Sequence, residues 1–326
     1  MIGVFGAGIV GTKVVETLVV DSQTEILVHD SNKTTANRLA SRLGEKHRVV
    51  SVANKNDLNT ASIVVLAGPP PHATIAREFI EKNISVVSVS DDVSDCTNLL
   101  ALDSLAKNHG VTLVVGAASS PGMSGLLARS MSKSFDAVDE VHVALHGTGG
   151  PACARQHHRA LSGQSVGWHE GEWIRRPGGS GRELCWFPEP VGAYDCYRGE
   201  LPDPLLIKRA FPELDRVTAR VSATRRDRVF ARMPQLIPPQ AEGGMGGLRV
   251  EVRGFRDGQR WVEVIGVVER VGQVAGAVGG CVAKNLHQTD AKPVGATVLG
   301  EQALPNEKIL HDVIHSGVQA HAFVRA

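Results

Sequence analysis

Three glycines at positions 6, 8 and 11, spaced G-x-G-x-x-G behind the apolar start Ile2 to Phe5, are the first residues whose type and spacing suit a definite chemistry. Gly6 permits a tight turn, Gly8 lets the backbone approach a pyrophosphate, and Gly11 lets a helix pack close to the preceding strand. Val10, Val14, Val15, Leu18 and Val19 recur at helical spacing, so the turn leads into a helix. The N-terminus of that helix, with Ile9 and Val10 in its first turn, attracts phosphate charge. A second apolar strand, EILVHD, ends in Asp30 about twenty residues beyond the last glycine, where an acid binds the adenine ribose hydroxyls of a dinucleotide and repels a 2'-phosphate. Asp30, with Ser31 beside it, favours NAD. Lys33, with Asn32 and Arg38, offers the alternative of holding the extra phosphate of NADP.

A second set of chemistry-bearing residues lies in HGTGGPACARQHHRAL. A helix beginning near Pro151 places two or three of Arg155, His157, His158 and Arg159 on one side. Arginine forks hold carboxylates bidentately, and a histidine near neutrality passes a proton to nitrogen, so Arg155, His157 and His158 are catalytic candidates and Arg155 and Arg159 substrate anchors. The competing reading is a solvated basic helix face. His146 at a strand end, Arg225, Arg226 and Arg228 in ATRRDR, and Lys284 read first as structural or solvated groups. Trp168, Trp173 and Trp186 suit a small core more than ring stacking on a ligand, with Trp173 kept as a substrate-binding candidate. The histidines lack H-E-x-x-H spacing and the cysteines lack paired spacing, so no metal site is expected.

The elements that must position these groups are legible in the alternation of apolar strands and helices. RVVSVA, SIVVLA, ISVVSV and VTLVV read as strands with helical stretches between them, which predicts a doubly wound parallel sheet over residues 1–130. Ligands in such sheets bind beyond the carboxyl ends of the strands. That draws attention to AGPPPH (Ala67 to His72), SDD (Ser90 to Asp92) and GAASSPGMS (Gly116 to Ser124), where small residues or prolines follow strands. Residues 131–270 change character. VDEVHVALHG, RVTARVSATRR and the hairpin around Asp257-Gly258 alternate as half-exposed strands, predicting a second, α+β domain on a mixed or antiparallel sheet. GQVAGAVGGCVAKNL is a small-residue helix that another backbone can approach closely, and residues 271–326 are expected to return to the first domain.

GAGIVG, AGPPPHATIAREFIEKNISVVSVSDD and LLALDSLAKNHGVTLVVGAASSPGMSGLLA together resemble the NAD(P)-binding half of the saccharopine dehydrogenase (saccharopine reductase) family. Order and spacing agree as well as the glycine fingerprint. The resemblance implies an oxidoreductase that makes or breaks a C–N bond by hydride transfer to or from an imine of a small amino-acid-like substrate. It implies that Gly6, Gly8 and Gly11 contact pyrophosphate and Asp30 the ribose; that Gly68, Pro69, Pro70 and Ser90 line the cofactor; that Ser119, Pro121 and Gly122 lie near the nicotinamide with Ser120 toward substrate; and that subunits pair as a homodimer through the second sheet. Relatives act on carboxylated polyamines or enoyl lipids, so an enoyl or carbonyl reductase is an alternative, as is a dinucleotide-binding sensor or scaffold without turnover. Trp173, Phe187 and Pro188 partly match the family's G-W…FP-x-P pattern, whereas GTGGPACARQHH departs from it and leaves the substrate open.

Composition narrows the classes further. A net charge of +1 over 326 residues points to neither nucleic acid nor an acidic membrane surface as partner. No apolar run reaches the roughly 18 residues a membrane helix needs. The five cysteines are odd in number and scattered, which suits free thiols in a reducing cytoplasm.

Overall fold

The computed structural model describes residues 1–20, 24–44, 46–233, 235 and 241–323. The first half supplies β1 (Ile2–Phe5), α1 (Ile9–Val19), β2 (Ile26–His29), α2 (Lys33–Gly44), β3 (Val49–Ser51), β4 (Ile63–Leu66), α3 (Ala73–Ile80), β5 (Ser85–Ser88), α4 (Val93–Leu100), α5 (Asp103–Asn108), β6 (Thr112–Val115) and α6 (Met123–Ser132). The second supplies β7 (Ala137–His146), α7 (Pro151–Ala160), β8 (Gln164–His169), β9 (Glu172–Pro177), β10 (Glu183–Trp186), β11 (Ala193–Arg198), α8 (Asp203–Ala210), β12 (Arg216–Ser222), α9 (Arg225–Phe230), β13 (Gly246–Arg256) and β14 (Gln259–Glu269). The tail adds α10 (Val271–Gln288), β15 (Gly295–Val298), α11 (Asn306–His315) and β16 (Gln319–Ala322).

Seven strands form one parallel sheet in the order β15-β6-β5-β4-β1-β2-β3. Its inner strands IVVL, SVVS and TLVV are buried at every position, because helices cover both faces. The second sheet has nine strands, with the path β10-β11-β12-β7-β13-β14-β16 and β8 and β9 attached to it through β12. It is mixed: β7 and β12 run parallel and their other neighbours antiparallel. Here the side chains alternate, as in RVTARVS of β12, where every second residue is buried. The β13–β14 hairpin turns at Asp257 and Gly258, both at positive φ (51° and 72°), the conformation a two-residue hairpin of this hand requires. The α/β architecture expected from the sequence is therefore present, with a parallel doubly wound sheet and a second mixed one.

The tail does not go back to the first sheet as a unit. β15 pairs with β6 and α10 packs on α1, but β16 pairs with β14 in the second sheet, because the partner of a short strand is set by tertiary packing and not by the residues before it. Residues 324–326 of that tail lie outside the described residues. The α10–α1 contact is backbone-close: a Cβ on Gly276 would lie 2.2 Å from the Lys13 Cβ, and one on Gly280 2.8 Å from the Thr17 Cβ. Since α10 follows β14 directly, this contact ties the second sheet to the first. Among the described residues no helix is long and apolar enough to cross a membrane.

A buried polar cluster also joins the halves. Asp203, fully buried at the start of α8, accepts hydrogen bonds from Ser120 Oγ (2.7 Å) and Ser124 Oγ (2.6 Å). Burial raises the Asp203 carboxyl above the usual range, and the two serine bonds oppose that rise. Asp203→Ala would leave two buried hydroxyls without an acceptor, and we expect it to lower the unfolding free energy by about 2–4 kcal/mol. Urea denaturation of the variant checks this; an unchanged midpoint would contradict the role.

Candidate functional site

A cavity of about 470 Å³ lies where the segments after β1, β2, β4, β5 and β6 meet the second sheet. This is the crevice beyond the carboxyl ends of the parallel strands. Its near wall carries Gly6, Gly8, Ile9, Val10, Asp30 and Ser31. Gly68, Pro69, Pro70, Ser119 and Ser120 continue it along the sheet. Leu145, His146, Cys153, Arg155 and His157 close it from the second half of the chain, with Val271 and Ala275 of α10 between.

The glycine turn shows why each glycine stands where it does. A Cβ on Gly11 would fall 1.8 Å from the Gly6 carbonyl oxygen, so the helix can start against the strand only without a side chain there. Gly8 is different: a Cβ on it would meet nothing within 4 Å, and its side faces open cavity at the N-terminus of α1, where no side chain caps the helix. A backbone bare of side chains beside unfilled helix N–H groups is a cradle that fits a diphosphate. Asp30 both braces and lines this cradle. Its carboxylate accepts from the Ala7 N–H and the Asn32 N–H, each at 2.7 Å, and keeps lone pairs for a ribose. Lys33 is an exposed residue at the start of α2, away from the cavity wall.

The proline loop is held by His72. Its Nε2 lies 2.9 Å from the Gly68 carbonyl and its Nδ1 2.8 Å from Ser88 Oγ. Burial lowers the imidazole pKa, so the ring is neutral; Nε2–H donates to the carbonyl and Nδ1 accepts from the hydroxyl. Asp95, 2% exposed, accepts from the His72 and Ala73 N–H groups and caps α3. Gly68 to Pro70 are thus fixed from behind.

Opposite, α7 begins at Pro151 as expected and presents Cys153 and His157 one turn apart, with Sγ 3.6 Å from Nε2. Asp91, from the segment after β5, completes a group whose carboxylate, thiol and imidazole donor atoms all lie within 4.8 Å of one another. Burial, with Asp92 adding like charge, raises the Asp91 carboxyl to about 6. Burial lowers His157 to about 4, and burial together with Asp91 pushes the Cys153 thiol far up. The helix is pinned to the same loop, since Gln156 Nε2 donates to Asp92 (3.2 Å) and Arg159 to Gln156 (2.7 Å).

Several residues singled out from the sequence lie elsewhere. His158 turns away and bonds the Met233 carbonyl at 2.8 Å, and Arg159 is an exposed brace for Gln156. Trp173 stands 44% exposed on β9, edge-on to Trp168 and off the cavity wall. Gly11, Ser90, Pro121 and Gly122 lie behind the wall as packing and turn residues; Ser90 is buried and its carbonyl accepts from Cys96. His146 does line the cavity, bonded to Ser222 Oγ at 2.8 Å and stacked on Tyr194. The absence of a metal motif concealed the Asp91, Cys153 and His157 group. Its one signal was the C-x-x-x-H spacing, which puts two donors on one helix face.

Residues 1–92 match the family model of the NADP oxidoreductases described as coenzyme F420-dependent. No curated protein sequence matches the chain. Among solved structures, the chain resembles apo saccharopine dehydrogenase (L-Glu forming) of Saccharomyces cerevisiae, with TM-score 0.69 at 14% identity over 99% of both chains. The DAP dehydrogenase of C. glutamicum in complex with DAP gives 0.53 at 15% identity, over 96% of this chain and 98% of that one. GenD2 from gentamicin A biosynthesis, in complex with NAD, gives 0.50 at 15%, over 99% and 96%. The fold is that of saccharopine dehydrogenase.

The neutral His72 has a consequence for stability. Its pKa is depressed on folding, so the unfolded chain takes up the proton first as pH falls through about 6.5, and the stability it contributes is present above that value and lost below it. We expect unfolding free energy to fall between pH 7 and 5, by up to about 1.4 kcal/mol per pH unit for this group. His72→Asn should flatten part of that slope in denaturation curves; an identical slope would contradict it.

Proposed function

We propose that the chain is an NAD(P)-dependent oxidoreductase that moves hydride to or from a carbon bonded to nitrogen in a small, carboxylate-bearing substrate. The observation that carries the reading is one continuous cavity joining the glycine cradle and Asp30 to Arg155. The likeness to saccharopine dehydrogenase over nearly the whole of both chains supports the C–N chemistry.

A nicotinamide dinucleotide, when bound, gives or takes the hydride. The chain's own residues do the rest. Gly8 and the α1 N-terminus hold the diphosphate, and Asp30 the ribose. Gly68, Pro69 and Pro70, braced by His72, wall the cleft on the side of Ser119. Arg155 anchors the substrate carboxylate, a bidentate contact that fixes which carbon faces the donor. Val89, Ala118, Leu145 and Val271 keep the reacting carbon dry. An iminium that gains hydride becomes a neutral amine, which takes its proton from water, so no buried acid is required.

NAD(H) is the preferred partner in this reading, because Asp30 is on the wall and Lys33 is not. A homodimer pairs through the outer face of the second sheet, where Glu251 is held by Arg249 and Arg253, and five free thiols suit a reducing cytoplasm. The mostly apolar wall supports a second reading, reduction of a C=C or C=O bond. Turnover separates them: oxidation of NADH with amine plus oxo-acid pairs is expected, and oxidation with enoyl or carbonyl substrates alone would favour the second.

Gly8 provides a sharper probe. Because a methyl there meets only open cavity, Gly8→Ala should keep the wild-type melting temperature and weaken dinucleotide binding at least tenfold, about 1.4 kcal/mol. Undiminished binding, measured by calorimetry, would sink the assignment of the cradle.

A further inference from the structure

We propose that Asp91, Cys153 and His157 form a site for a single divalent transition-metal ion of borderline softness, Zn²⁺ or Co²⁺, with a fourth coordination position open to the cavity. Cys153 and His157 stand four residues apart on α7 and point the same way, and their donor atoms are 3.6 Å apart. A tetrahedral zinc ion, at about 2.3 Å from sulfur and about 2.0–2.1 Å from nitrogen, sets its two ligands about 3.6 Å apart. Asp91 reaches the same point from the other side of the cleft, within the 4.8 Å that bounds the group, and a turn of its carboxylate closes the remainder.

The composition of the group selects the ion. Thiolate and imidazole favour zinc or cobalt over magnesium or calcium, which take all-oxygen sets. One carboxylate and one thiolate balance a divalent charge, so the cation offsets the repulsion that would otherwise oppose ionising Cys153 beside Asp91. Coordination transfers the thiol proton to solvent, leaving a Cys–S–metal bond. Three protein ligands beside a cavity are the pattern of an ion that also takes a ligand from outside, whereas a structural site is closed with four. The outside ligand would be an oxygen or nitrogen of a molecule in the cavity. The Gln156 bond to Asp92 keeps α7 and the Asp91 segment in fixed register, so the donors are held by two braced elements.

This inference concerns metal binding and does not depend on the hydride reading. The test uses the full chain, stripped of metal by chelation, titrated with Co²⁺ and followed by absorption. One equivalent should bind with a thiolate-to-cobalt charge-transfer band and the intense visible bands of a four-coordinate ion, both bleached by Zn²⁺. Cys153→Ser should abolish the charge-transfer band and His157→Gln should weaken Co²⁺ binding at least tenfold, while Cys281→Ser, in α10, leaves the spectrum intact. Absence of the band in the wild-type chain, or its survival in Cys153→Ser, would overturn the site. NADH binding measured on the same samples separates the two ideas: cofactor binding without cobalt binding sinks only the metal site, and the reverse sinks only the dinucleotide reading.

Discussion

Gly11 lies so close to the Gly6 carbonyl that no side chain fits between them, and the direction of α1 follows from that contact. With α1 set at this angle, its outer side receives α10 through Gly276 and Gly280. Because α10 leaves directly from β14, the second sheet is placed relative to the first by the same chain of backbone contacts. The cavity is the space left between them. Its near wall is the glycine turn itself, and its far wall is whatever the second sheet and α7 bring to meet it. A bulkier residue anywhere along this series would move the walls before it altered any chemistry.

The walls differ in how they are held. The near wall is backbone, fixed by the hydrogen bond that the Ala7 N–H of the turn donates to Asp30 and by the one from His72 to the Gly68 carbonyl of the proline loop. A site built from main-chain groups is rigid and tolerant of what is bound, which suits a cofactor common to many enzymes. The far wall is side chains, among them Arg155, His146, Cys153 and His157, and it is here that relatives of this fold can diverge. Burial lowers the pKa of His146 and His157 on this wall and raises that of the Asp91 carboxyl, which meets them from the segment after β5. Arg155 adds a fixed positive charge to this wall.

How much of this was legible in the sequence follows from how local each feature is. The glycine turn and the Asp257-Gly258 hairpin rest on contacts between near neighbours, and Asp30 on the regular spacing of a strand–helix–strand unit, so the residue types announce them. The parallel strands were legible because full burial on both faces leaves an unbroken apolar run. The phase of α7 was not: its starting residue was right, but which of Arg155, His157, His158 and Arg159 face the cavity depends on how the helix is rolled against the Asp92 segment. Only Arg155 and His157 face it. Asp91 and Cys153 come from elements more than sixty positions apart, so nothing in local spacing joins them. The destination of β16 was hidden for the same reason.

The central claim is that the cleft beside Gly8 and Asp30 holds a nicotinamide dinucleotide. Separate titrations of the purified chain with NADH and NADPH, followed by nicotinamide fluorescence, test it most directly. The account predicts saturable binding with NADH preferred by about tenfold or more, some 1.4 kcal/mol; binding of neither cofactor would contradict it.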